Sequence, residues 1–388
     1  MSEPTVILGL ESSCDETSCA VVTDGQKVLS NVVATQIELH TRYGGVVPEI
    51  ASRAHIEAIN SVIAQALEQS GVRPADIRAV AVTNEPGLIG SLLVGLMAAK
   101  TLAWVWDVPL LGINHIYAHA YAAALDSDPL EYPAVALICS GGHTALYHCD
   151  SPTEMELLGT TIDDAAGEAF DKVASILKLG YPGGPVIDKV AKSGSSAAVD
   201  FPRTLLDGQS LDFSFSGLKT AVLYHVNGVP QRPRRAARGS QGVGSVIPSV
   251  MGGGHPWPPP PDAATRDGRR AIPPAAASRD AAALTPQQTA DIAASFQAAV
   301  TDVLKTKMHR AVMRTGAKTI VIGGGVSANS ALRAAAAELA AKLHCKLRLP
   351  ALQYCVDNAA MIAGLGYHYY RLGRTSELDL EAQATVRK

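Results

Sequence analysis

Residues Thr5-Val6-Ile7-Leu8-Gly9-Leu10-Glu11-Ser12-Ser13-Cys14-Asp15-Glu16-Thr17-Ser18-Cys19-Ala20-Val21-Val22 carry the pattern from which the fold is read. Thr5 to Leu10 is a short apolar run, as a buried strand requires. Glu11 to Ser18 is small, acidic and hydroxyl-bearing, and apolar residues resume at Cys19. Strand, polar turn, strand predicts a hairpin. Asp24-Gly25 predicts the next turn, and Lys27 to Ala34 a third strand. The same order returns later. Ala134 to Ile138 reads as a strand and Cys139-Ser140-Gly141-Gly142-His143-Thr144 as a small-residue turn. Ala145 to Cys149 reads as the return strand and Met155 to Gly159 as the third. Helices are expected at 49–70 and 88–105 with a strand, Ala79 to Thr83, between them. Another helix is expected from Asp164 to Leu177. Two halves that open alike predict a duplicated α/β fold with a cleft between lobes. Residues 1–130 form the first lobe and 131–388 the second.

The second lobe is interrupted. From about Asn227 to Ala283 the chain turns to Pro, Gly, Arg and Ala, with Pro258-Pro259-Pro260-Pro261 at its centre. Eight Arg (232, 234, 235, 238, 266, 269, 270, 279) stand against three Asp (262, 267, 280). Few apolar anchors are present to offset the entropy of ordering, so a basic, flexible insert is expected. It reads either as an idle loop or as an arm touching RNA phosphates. Order resumes at Thr285-Pro286, a helix start with a capping hydroxyl and Pro in the first turn. That helix should run to about Arg314. A strand, Thr319 to Ile322, then leads into Gly323-Gly324-Gly325-Val326-Ser327-Ala328-Asn329 and a helix over 330–342. A short strand, Lys346 to Leu349, and a last long helix complete the chain.

With 388 residues, 47% hydrophobic and 18% charged, the chain can bury a sizeable core. The net charge of −3 gives no global nucleic-acid signature. Six scattered cysteines with no Cys-x-x-Cys pair predict a reduced, cytoplasmic protein. Met1-Ser2-Glu3-Pro4 lacks the basic and apolar regions of a signal peptide. No run reaches the ~18 apolar residues of a membrane span. Leu88 to Val105 comes nearest and reads as a buried helix.

His115 and His119, in Asn114-His115-Ile116-Tyr117-Ala118-His119, lie one turn apart near a helix start. At that spacing two imidazoles can converge on one cation. They could equally be plain surface histidines. Ile116 stands where the zinc-protease pattern needs Glu. Asp357 could complete a two-histidine, one-carboxylate set, which suits Fe(II) or Zn(II) with open positions. It could equally cap the last helix. The Gly/Ser/Thr turns at the strand ends are candidate phosphate cradles. There is no Gly-x-x-x-x-Gly-Lys-Ser/Thr, so this is not a P-loop, and the lack of Gly-x-Gly-x-x-Gly after the first strand argues against a dinucleotide fold. Asn329 could bond a ribose or lie on a helix face. Asp171 and Asp188 suit ribose hydroxyls, or read as a solvated helix face and an N-cap.

Five motifs in order resemble the TsaD family, the transferases that make N6-threonylcarbamoyladenosine in tRNA. They are Gly9-Leu10-Glu11-Ser12-Ser13-Cys14-Asp15-Glu16-Thr17, Gly44-Gly45-Val46-Val47-Pro48-Glu49, Asn114 to His119, Ser140 to Thr144 and Gly323 to Asn329. Cys-Asp-Glu-Thr in the first loop is similar to the bacterial or organellar branch. The resemblance spans about 5–226 and 284–372, and the proline-rich insert departs from it. It implies the actin-like, sugar-kinase-like ATPase fold. It implies one divalent metal, Fe(2+) first and Zn(2+) second, held by His115, His119 and Asp357. It carries binding of an adenine nucleotide onto Ile138, Cys139, Ser140, Gly141, Gly142, Asp171, Gly184, Asp188 and Asn329. The implied substrate is threonylcarbamoyl-AMP, supplied by a TsaC-type synthase. It is attacked by the N6 amine of the adenosine on the 3′ side of the anticodon. Asp15 or His143 would accept the amine proton or position the amine. A TsaB-like paralogous subunit, a TsaE-like P-loop ATPase and tRNA are the implied partners, with no membrane. A metalloprotease is disfavoured by Ile116. A non-catalytic scaffolding paralogue would be expected to lack the metal ligands.

Overall fold

The computed structural model describes residues 3–206, 208–228 and 284–385. The expected basic insert therefore lies, but for its first residues, outside the described residues. In chain order the elements are β1 (Val6–Glu11), β2 (Glu16–Thr23), β3 (Lys27–Thr35), α1 (Ile37–Thr41), α2 (Pro48–Ser70), β4 (Ile77–Glu85), α3 (Ile89–Trp106), β5 (Leu110–Asn114) and α4 (His115–Tyr121). The second set is β6 (Ala134–Cys139), β7 (Thr144–Ser151), β8 (Glu154–Thr160), α5 (Ala166–Ile176), α6 (Gly183–Ala191), α7 (Ser216–Asn227), α8 (Pro286–Thr315), β9 (Thr319–Gly323), α9 (Ser330–Leu343), β10 (Lys346–Arg348) and α10 (Ala359–Arg371).

Two sheets run β3-β2-β1-β4-β5 and β8-β7-β6-β9-β10. Each is an antiparallel meander continued by two parallel strands, so the expected duplication is present in the pairing itself. β1 and β6 occupy the centres and are buried along their whole length, which explains their unbroken apolar runs. The Asp24-Gly25 turn takes φ of 51° and 75°, the left-handed pair a tight hairpin turn needs. At α8, Thr285 and Gln288 exchange side-chain and backbone bonds in a full capping box, and Gly316 closes the far end at φ 70°.

Three readings need correction. α3 was expected as a buried helix. It buries Leu92, Leu96, Ala99 and Ala103 but leaves Leu93 at 44%, Met97 at 57% and Trp104 at 73% exposure. Among the described residues it is long and apolar enough to cross a membrane, yet it packs along β4 and α2. Second, α6 is a helix where a glycine turn was expected. Gly183-Gly184-Pro185 at its start masks the signal, but Asp171 accepts a bond of 2.7 Å from the Gly183 N–H and Ile187 and Ala191 are buried. Third, the rear region, read as 131–388, does not keep its end. A boundary near 130 falls between the sheets, but α10 returns to the first sheet. There its residues Ala359 to Leu365 pack with Ile7, Ala20, Ala81 and Leu111. Gly9 permits this: a Cβ there would sit 2.4 Å from the Ala359 carbonyl oxygen.

Candidate metal and nucleotide centre

The histidine helix is set by its cap. The Asn114 side chain accepts bonds from the N–H groups of Ile116 and Tyr117, so α4 begins at His115 directly off the end of β5. His115 is 6% exposed and His119 1% exposed. Asp357 comes from the turn before α10. Asn358, not Asp357, caps that helix, accepting from the Met361 N–H at 3.1 Å. The Asp357 carboxylate is thereby left for the histidines. Its Oδ1 lies 3.0 Å from His119 Nε2 and 3.4 Å from His115 Nε2. Because α10 lies on the first sheet, all three groups belong to the front lobe, where Asp357 had been read as coming from the rear one. Ile116 is core, 4% exposed, and offers no general base.

Two ring nitrogens converging on one carboxylate oxygen fit a divalent cation. The three ligand atoms lie within 4.8 Å of one another. Without a cation, a proton must bridge each pair. The electrostatics follow suit. Burial opposes charge on His115, but Asp357 and Glu11 outweigh it and hold its pKa well above the ordinary value. Burial and then the His115 charge push His119 down. Burial works to raise Asp357, yet the two histidines hold it well below the usual carboxylate range. A cation would replace those protons.

Glu11, which sequence reasoning did not single out, is bonded directly to His115. It is fully buried at the end of β1. Its Oε2 accepts from His115 Nδ1 at 2.9 Å and from the Thr83 hydroxyl at 2.6 Å, and its Oε1 from the Ser13 N–H at 2.5 Å. A carboxylate on Nδ1 fixes the ring orientation and aims Nε2 at Asp357, where its lone pair would be free for a cation that replaces the proton. The available signal was a lone acid closing an apolar strand, since a buried charge needs a partner. Glu11→Gln is expected to weaken metal affinity by about 10- to 100-fold, as for other such supporting groups, with the fold retained. Metal titration against a chelator checks it, and unaltered affinity would refute the role.

The other expected residues divide into two groups. Ile138 and Cys139 are fully buried in β6, with Ile138 paired to Gly323. Their side chains are core, and at most their backbone faces a ligand. Ser140 to Thr144 form a tight turn, with the Ser140 N–H bonded to the His143 carbonyl at 2.8 Å. A Cβ on Gly141, Gly142, Gly184 or Gly325 would meet nothing within 4 Å, so these backbones face open space. Asn329 caps α9 through the Leu332 N–H and donates to Gln297 Oε1 at 2.8 Å. Asp188 Oδ1 accepts from the Ser330 N–H and hydroxyl, and so secures the α9 start rather than capping a helix of its own. Burial, with help from the Asp15 charge, raises the Asp171 pKa. Asp15 lies partly exposed in the first loop. Burial, and then His115 and His119, push the His143 pKa down to about 4.

The profile of the family described as "TsaD: tRNA N6-adenosine threonylcarbamoyltransferase" matches residues 27–364. The chain belongs to the TsaD family. A relative from Symbiobacterium thermophilum named tRNA N6-adenosine threonylcarbamoyltransferase is 47% identical, covering 97% of this chain and 95% of its own. One of the same name from Desulforapulum autotrophicum is 44% identical over 98% and 99%. Among solved structures, HypF from T. kodakarensis superposes with a TM-score of 0.57 at 13% identity. That likeness covers 97% of this chain and 49% of HypF, and it shows the fold alone. The actin-like, sugar-kinase-like architecture expected of a TsaD-family chain is the one found.

Proposed function

We propose that this TsaD-family chain transfers a threonylcarbamoyl group from threonylcarbamoyl-AMP to the N6 amine of the tRNA adenosine on the 3′ side of the anticodon, in tRNAs reading codons that begin with A. That it is a threonylcarbamoyl transferase acting on tRNA follows from its family. The observation that carries the site assignment is the convergence of His115 Nε2 and His119 Nε2 on Asp357 Oδ1, backed by buried Glu11. His115, His119 and Asp357 would hold Fe(2+), with Zn(2+) the alternative for the same donors. A bound cation there supplies Lewis acidity and a template for the substrate oxygens.

The remaining work falls to the protein. The open backbones of Gly141, Gly142 and Gly325 receive phosphate and adenosine, and Gly184 with Asp171, Asp188 and Asn329 lines the nucleoside end. The N6 nitrogen forms a bond to the carbamoyl carbon. The bond from that carbon to the phosphate oxygen breaks, and AMP leaves with the electron pair. The amine proton goes to a nearby base. Asp15 or His143 accepts that proton or positions the amine.

A TsaB-like subunit is the proposed partner, with a TsaE-like ATPase and a TsaC-type synthase supplying the adenylate. The apolar row Ile89, Leu93, Met97 and Trp104, each more than 40% exposed, offers such a subunit a face. The test is threonylcarbamoylation of a tRNA transcript by the metal-loaded chain, given threonylcarbamoyl-AMP, with and without both partners. Modified adenosine is expected in the complete mixture. Its absence from every combination would overturn the reading.

A further inference from the structure

The Gly323–Asn329 loop and the metal-ligand turn come from different lobes, and one side chain joins them. Arg333 stands on the first turn of α9, immediately after the loop. Its Nε donates to the Ser327 carbonyl at 2.7 Å, within the loop. Its Nη2 donates to the Pro350 carbonyl at 2.7 Å and to Cys355 Sγ at 3.3 Å. Pro350 to Asn358 is the strand of chain that leaves the second sheet and delivers Asp357 to the histidines. Cys355 is fully buried. From there to Asp357 the turn has little slack. Asn358 Nδ2 donates to the Val356 carbonyl at 2.8 Å and its Oδ1 starts α10. On the front-lobe side the Tyr354 hydroxyl donates to Asp126 at 2.7 Å. The guanidinium thus ties a carbonyl of the glycine loop to the crossing two residues before a metal ligand.

We propose that Arg333 is a positioning residue that couples occupancy of the glycine loop to the geometry of the metal site. The inference rests on the reading of that loop as the adenosine site. A nucleotide settling on Gly325 and Asn329 fixes Ser327, Arg333 carries that order to Pro350 and Cys355, and Asp357 is held on the histidines. Coupling between two sites is reciprocal, so metal must tighten nucleotide by the same factor. The planar fork of Arg is suited to reach three acceptors at once, and the point charge of Lys is not.

The experiment measures the Zn(2+) dissociation constant of the full-length chain with and without saturating AMP, and the AMP constant with and without Zn(2+). The parent is expected to show one shared factor of roughly tenfold, the ordinary range for coupled sites. In Arg333→Met and in Arg333→Lys the factor is expected to fall to within about twofold of unity, while each ligand alone still binds. A merely structural arginine would weaken both ligands and leave the ratio intact. Cys355→Ala removes one acceptor and should reduce the ratio part-way, which serves if Arg333→Met does not fold. An unchanged ratio in these variants overturns the inference. So does a parent that binds AMP and Zn(2+) independently, a result that leaves the adenosine reading standing. A parent that binds no AMP defeats that reading together with this one.

Discussion

Asp357→Ala is expected to leave a folded protein that retains no metal after desalting and modifies tRNA at least about a thousandfold more slowly. The rate figure follows from several kcal/mol of charge stabilisation, at about 1.4 kcal/mol per tenfold. The fold should survive because the local structure does not use this carboxylate. Asn358 caps α10, and the helix is held by its apolar face, Ala359 to Leu365. The side chain is 19% exposed and bonds only to His115 and His119 among the described residues. His115→Ala should match it in metal loss, and Asp357→Asn should retain a trace through the amide oxygen. Metal analysis beside a tRNA assay decides it. Full metal content with full activity in both alanine variants would end the assignment.

Gly323→Ala should produce a large loss of stability. A Cβ at 323 would stand 2.2 Å from the carbonyl oxygen of His119 and 2.7 Å from its carbonyl carbon. Both are backbone atoms, so no rotamer relieves the clash. β9 cannot retreat, since it is paired to β6 on one side and β10 on the other. α4 must lift instead, and it carries both histidines. Overpacking of this kind costs about 1–3 kcal/mol, occasionally more, and metal affinity should fall with it. The control is Gly325→Ala, two residues on, where a Cβ meets nothing within 4 Å. It should leave the melting temperature unchanged. Thermal unfolding of the metal-free proteins makes the comparison, and equal melting temperatures for the two variants would refute the packing argument.

Much of this molecule was readable in one dimension because its signals are local. The two meanders, the Thr285 cap and the one-turn spacing of His115 and His119 each sit within a few residues. What was hidden depends on partners far along the chain. Glu11 meets His115 at a separation of 104 residues, so its role could not be told from that of any acid in a polar turn. Asp357 was ambiguous between cap and ligand until Asn358 was seen to cap. Asp171 and Asp188 read as ribose ligands or helix-end residues, and the structure gives each a backbone N–H to hold. No local feature of α10 says which sheet it covers, because its apolar face suits either. α6 was missed because glycine and proline at a helix start look like a turn until their N–H partners are known.

The late return of the chain to its first sheet has a bearing on how the protein is made. His119 emerges from the ribosome 238 residues ahead of Asp357. At roughly 5–20 residues per second, the imidazoles wait on the order of ten to fifty seconds for their carboxylate. Throughout that interval the front sheet lacks its covering helix and no three-ligand cage exists. A cation held by the three ligands could therefore be caged only after Asp357 has been made, and a polypeptide released before that point carries neither the cage nor the lid of its own first lobe.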